Sequence, residues 1–424
     1  MLIKNEKRLL FASTIISLFE LFDFVSFIFL SPVLTILFLP PQFKTNSFIF
    51  TILSITLSYI CRPIGGILLA NFGDKYGRKS VFAISVLMMA IPSFSMAITP
   101  TYNKIGIVST FLLLFCRIMN AFSLGGEVPG SITYLSEVFK GKNIFFYCSW
   151  LTFGANLGLV FSAQLIKFLT SNFSHSFMYN FGWRIPFLTG GILTIIVAYV
   201  RKKINESPEF KKIKHQKKIN KVPFVDLIMN YKIQILYGVL LSFIVSITTA
   251  IFHLLLPNIL ANQGKINIVD ATNMSSIGAI CLAVGSIIFG YLVKYIRVNS
   301  IIKFSIFSII ILVSGYYFIF LKEITQFNFI TFIIAISLLL SGVNGVFFGV
   351  LSKLFPTNVR FSGISICFNC AYILGVGITP LWINYIVKIN ANNFLFDILI
   401  IYITLIILSY CSFQYIRKKK FVFD

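Results

Sequence analysis

Apolar stretches of about 20 residues or more, the length a helix needs to cross a hydrocarbon core, recur along this chain with short polar breaks between them. Six fall at 9–38, 46–72, 80–99, 105–136, 144–170 and 183–201, and six more at 233–261, 270–293, 300–320, 327–354, 358–387 and 395–416. A polar stretch from 202 to 228 separates the two sets. The pattern predicts an all-α membrane protein of twelve transmembrane helices. Its parts are a six-helix bundle over 1–201, a basic linker over 202–228 and a second six-helix bundle over 229–424. The first apolar run does not read as a cleavable leader. It is too long, carries Glu20 and Asp23, and lacks a small-residue cleavage site.

Composition sharpens the picture. Of 424 residues 57% are hydrophobic and 12% charged, where soluble domains carry roughly 25% charged residues. The net charge of +23 sits in clusters between apolar runs rather than on one continuous surface. It therefore reads as an orientation signal and not as a nucleic-acid footprint. With both termini in the cytoplasm, the inner segments hold 27 Lys and Arg against seven outside, counting Arg201 among the linker charges. An odd helix count would destroy that asymmetry. The linker, including Glu206–Phe210 (ESPEF), is read as solvated, with an amphipathic strip on anionic headgroups as the alternative. No appended coiled coil is expected, and the partners expected are the lipid bilayer and a small-molecule substrate, for a monomer. The seven cysteines lie in apolar runs, and Cys367 and Cys370 read as small apolar fillers rather than metal or redox ligands. No nucleophile–base pair or metal spacing suggests an enzyme. The richness in Ile, Phe, Lys and Asn points to a bacterial inner membrane.

Charges at depth carry the chemistry, because each is costly in hydrocarbon unless paired or hydrated. They are Glu20, Asp23, Arg62, Arg117 and Glu127, all in the first half, with His253 the second-half candidate. At 1.5 Å per residue, Asp23 lies ~21 Å along the first helix and Arg117 ~18 Å along the fourth from the opposite face, so both reach the middle of the bilayer. Glu20 and Asp23 share a helix face. An acid pair facing an arginine suits a site that takes up and releases a proton with conformation; the alternative is an ion pair that pins two helices. Glu127 lies in Ser123–Ser131, among glycines that permit close helix approach and beside Pro129. His253 is either a pH-sensitive cavity ligand or a packed, hydrogen-bonded core residue. Between the second and third helices, Gly73, Asp74, Gly77 and Arg78 form a tight loop. Asp74 is placed to face a helix N-terminus and Arg78 to pair with Glu137, as a latch or as a plain orientation signal.

Several of these segments together resemble the metabolite:proton symporter family of the major facilitator superfamily, which includes proline/betaine, ketoglutarate, citrate and shikimate transporters. The matching segments are ELFDF (Glu20–Phe24), RPIGG (Arg62–Gly66), GDKYGRK (Gly73–Lys79), RIMNAFSLGGE (Arg117–Glu127), GWRIPF (Gly182–Phe187), ESPEF and Leu354–Gly375. The resemblance implies two six-helix bundles, a central cavity, alternating access and proton symport of a small polar metabolite, with no cofactor beyond the proton gradient. It implies Glu20 and Asp23 as proton or substrate acids partnered by Arg117, and Gly73, Asp74, Gly77, Arg78 and Glu137 as the inner gate. Arg62 falls in a cavity-side segment. A proton-independent facilitator and a metabolite-binding sensor are the alternatives. The chain departs from the family pattern at Phe27, Ala70, Asn143, Lys294, Arg297-Val298 and Lys353, so a balanced two-sided gate is not expected.

Overall fold

A computed structural model describes residues 4–40, 47–202, 205–215, 223–264, 266, 268–322, 325–390 and 394–420. Twelve long helical elements account for nearly all of it, and no strand occurs among the described residues. The first half holds α1 (Lys4–Phe38), α2 (Ser47–Tyr76), α3 (Arg78–Ile98), α4 (Ile107–Val138), α5 (Asn143–Asn172) and α6 (Arg184–Lys202). The second half holds α7 (Lys232–Thr249, continued to Asn262), α8 (Ile268–Leu292), α9 (Val298–Lys322), α10 (Gln326–Lys353), α11 (Arg360–Tyr372, continued to Ile389) and α12 (Phe394–Lys420). Eleven spans are long and apolar enough to cross a membrane by length and composition. The remaining long helix, α2, carries Arg62, Asp74 and Lys75 along its 30 residues.

Within the first half α1 packs on α5, α2 on α4 and α3 on α6; within the second, α8 packs on α10 and α7 on α11 and α12. Two seams join the halves, α2 against α11 and α5 against α8. Large apolar side chains such as Ile98, Phe111, Phe307 and Phe327 face outward around the perimeter, the surface a hydrocarbon environment covers. The largest core cluster fills the second half, around Phe252, Phe332, Phe347 and Tyr402.

Glycine decides how closely some helices approach. A Cβ at Gly125 on α4 would collide with the Arg62 main-chain carbonyl of α2, and one at Gly158 on α5 with that of Leu18 on α1. These seams are therefore backbone against backbone. Gly77 is the single residue between α2 and α3, with φ of 110°, a left-handed conformation that L side chains avoid. Two helices widen into π turns beside the interior, at Ala250–Leu255 after α7 and Ile373–Gly377 after α11.

The linker departs from the solvated reading. Pro208–His215 and Pro223–Asn230 are helices, and both Phe210 and Leu227 are buried. Ser207 starts the first of them: its hydroxyl accepts from the Phe210 N–H at 3.1 Å, with Pro208 following it. That is an N-cap with proline at the first helical position.

Candidate functional site

A central cavity of about 110 Å³ lies between the halves. Its walls come from α1 (Ser17, Leu21, Phe24), α2 (Tyr59, Arg62), α5 (Thr152, Asn156), α10 (Asn344, Phe348) and α11 (Phe368, Tyr372), among others. The lining is mostly aromatic and aliphatic with a few polar groups, the usual make-up of a small-molecule site. The halves meet at both ends of it. At one end Lys167 donates to Asn273 at 2.7 Å and Gln164 to Ser276 at 3.1 Å. At the other end lies the cluster around Arg78.

Asp23 is buried at 5% exposure, on α1 next to Phe24 of the cavity wall, and its carboxylate lies within the first half. Ser93 of α3 donates to Oδ1 at 2.8 Å and Asn120 of α4 to Oδ2 at 2.7 Å. Gly190 on α6 leaves room beside Oδ1. The predicted partner stands farther off: Arg117 Nη1 is 3.9 Å from Oδ2. Its Nη2 donates to the Phe24 carbonyl at 3.1 Å, and the guanidinium lies over the rings of Phe24 and Phe27 at 4.6 and 4.3 Å. Ser93 and Asn120 were not singled out in the sequence. Asn120 had a signal, since it lies three residues after Arg117 on the same helix face; Ser93 had none. Glu20 lies on α1 one turn before Asp23, and its side chain falls outside the described residues.

Glu127 does not line the cavity. Its carboxylate pairs with Arg201 and accepts from the Ser85 hydroxyl, all buried between α3, α4 and α6. Arg201, counted in the sequence as a linker charge, is thus a core cation, 5% exposed and stacked 4.1 Å over Phe82. Its place at the end of an apolar run followed by lysines disguised its depth. His253 sits in the α7 π turn, 3% exposed, with Nε2 at 2.8 Å from the Ser337 hydroxyl. It is packed behind the cavity rather than lining it.

The residues that the sequence suggests as an inner gate come together in one buried cluster. Asp74 reaches across to the second half, where the Ser362 N–H and hydroxyl donate to it at 2.9 and 2.8 Å and the Phe361 N–H at 3.4 Å. These are the second and third residues of α11, whose N-cap Val359 offers no side-chain acceptor. Asp74 therefore supplies that cap, and its charge faces the positive end of the helix. Arg78, fully buried, donates to Glu137 at 3.1 and 2.6 Å, to the Gly73 carbonyl at 2.9 Å and to the Thr357 carbonyl at 2.9 Å. Asp74 lies 3.2 Å from it.

The ESPEF segment straps this cluster. Glu206 accepts from the Arg78 and Lys79 N–H groups at 3.1 and 3.2 Å, capping α3 where Gly77 has no side chain to do so. The Ser207 hydroxyl donates to Glu137, and the Phe210 ring lies 4.8 Å from the Arg78 guanidinium. Glu209 accepts from Arg360 at 3.0 Å and Thr357 at 3.1 Å in the second half and lies 3.7 Å from Lys140 in the first. The signal was present in Ser207-Pro208-Glu209 as a helix start.

Two pseudo-equivalent helical halves around a shared cavity, with a polar cluster at one mouth, define a membrane transporter. The chain belongs to the major facilitator superfamily, whose family model matches residues 16–410. A Staphylococcus aureus relative named for proline/betaine transport is 28% identical over 400 residues, covering 91% of this chain and 83% of the relative. The proline/betaine transporter of Escherichia coli K12 is 24% identical over 401 residues, covering 91% and 79%. Among solved structures, the proton:xylose symporter XylE bound to 6-bromo-6-deoxy-D-glucose aligns with a TM-score of 0.78 at 15% identity, over 97% of this chain and 95% of that one. A partially occluded inward-open form of XylE from E. coli aligns at 0.72. At that identity the likeness shows the fold.

Proposed function

We propose that the chain carries out proton-coupled symport of a small polar metabolite, a zwitterion such as proline or betaine or a small carboxylate, by alternating access. It would do so in a bacterial inner membrane with both termini cytoplasmic, driven by the proton gradient. The observation that carries this reading is Asp23. A carboxylate buried at mid-helix, beside a cavity-lining residue and within 3.9 Å of an arginine, has a local environment that decides whether it holds a proton. Uptake or release of that proton would follow the change in hydration at the cavity as the two halves alternate. The names of the sequence relatives support the substrate range.

The test is uptake of radiolabelled proline, glycine betaine, ketoglutarate, citrate and shikimate into proteoliposomes, with and without an inward proton gradient. Accumulation driven by the gradient and lost in Asp23→Asn is the expected result. Flux indifferent to gradient and mutation would mean a facilitator, and binding without flux a sensor.

A further inference from the structure

Arg62 is a buried cation that neither the acid network nor the gate uses. It is 5% exposed and lines the central cavity, yet it takes part in no ion pair among the described residues. Its guanidinium is surrounded by rings from both halves, with Tyr59 at 5.3 Å, Phe368 at 5.5 Å and Tyr372 at 5.6 Å. Its Nε has no hydrogen-bond partner. Asn344 lines the same cavity from the other half, 4% exposed, and its Nδ2 is also without a partner. No carboxylate lines the cavity among the described residues.

Cation–π contacts offset only part of the cost of desolvating a guanidinium. Arg62, whose guanidinium also meets the Tyr59 side chain, and Asn344 each carry an unpartnered donor and line one cavity, a pairing complementary to an acceptor anion. Arg presents a planar fork that matches a carboxylate. A single cation neutralises a single carboxylate, and a second or third would be left unpaired in an apolar chamber.

Resting on the transport reading, we propose that Arg62, assisted by Asn344, binds the carboxylate of the transported solute and selects for solutes that carry one carboxylate. The aromatic and aliphatic walls receive the rest of the molecule. Because Arg62 and Asn344 belong to different halves, a carboxylate shared between them ties solute binding to closure of the cavity.

Glu20 falls on α1 among the lining residues Ser17, Leu21 and Phe24, with its side chain outside the described residues, so the experiment must include it. Binding is measured by calorimetry on the purified full chain in nanodiscs, together with the thermal-unfolding midpoint of each variant. The probes are proline and glycine betaine, their carboxyl-free counterparts prolinamide and choline, and citrate.

The expected result is that a one-carboxylate probe binds the unmodified protein at least about 10-fold tighter than its counterpart and than citrate. Arg62→Gln weakens it by roughly 100-fold, as loss of one partner of a buried charge pair does. Arg62→Lys and Asn344→Ala weaken it by roughly 10-fold each. Should Arg62→Gln unfold, the last two variants carry the test.

Choline or citrate binding as tightly as the one-carboxylate probes, or no probe binding at all, overturns the proposed class. Affinity within twofold of the unmodified protein in folded Arg62 variants overturns the role of Arg62. So does restoration of an Arg62→Gln defect by Glu20→Gln, which would make Arg62 the partner of a resident acid. Gradient-driven flux unaffected by Arg62→Gln removes this inference and leaves symport standing. Arg62-dependent binding without flux removes symport and leaves the inference.

Discussion

The loop between α2 and α3 and the loop between α8 and α9 hold corresponding places in the two halves, and they close that end of the molecule by different means. In the first, Asp74, Arg78 and Glu137 are buried without side-chain exposure, and these three are paired with one another. In the second, the acid is replaced by Lys294, which lies exposed over the Tyr291 ring at 4.6 Å, and Lys353 lies over Phe145 at 4.8 Å. No ion pair involves the second loop among the described residues. A buried charge must be fully satisfied, whereas an exposed lysine on a ring contributes little. Closure at this end therefore rests on the first-half loop, its strap and the start of α11.

The comparison breaks most sharply at Arg78. Arg78→Ala leaves two buried carboxylates facing each other and is expected to cost about 3–5 kcal/mol, read as loss of uptake and a lowered unfolding midpoint. Next comes Asp74→Ala, which uncaps α11 and is expected to cost about 1–2 kcal/mol. Its signature is increased labelling of a cysteine placed at Ser365, which is buried one turn further along α11. Glu209→Gln removes partly exposed contacts and is expected to cost about 0.5–1 kcal/mol, an effect that fades as salt is raised. Lys294→Ala should change uptake less than twofold, as a surface substitution does. An effect there as large as that of Asp74→Ala would erase the contrast between the loops.

Much of this was legible in the sequence and some of it could not be. Helix number follows from the lengths of the apolar runs, and the Asp74, Arg78 and Glu137 cluster from a tight loop beside a helix end. The depth of Arg201 was hidden because a cation at the rim of an apolar run looks the same whether it points to water or to Glu127. The direction in which Asp23 faces was equally hidden. Periodicity places it on a helix face, but whether that face meets the cavity or α3 and α6 is set by packing between helices distant in sequence. His253 shows the same limit: its π turn shifts the register of α7, which no residue spacing announces.

The glycine contacts bear on how the molecule moves. Inside the first half, Gly125 against the Arg62 carbonyl and Gly158 against the Leu18 carbonyl lock main chain to main chain, with no side chain that can rotate to release them. Across the halves, by contrast, Asn369 and Ser365 hold the Gly125 carbonyl by hydrogen bonds of 2.8 and 3.3 Å, which water can replace one at a time. The first half is thus built as a stiff lever, and the contacts of α4 with α11 are a pivot made of interchangeable parts.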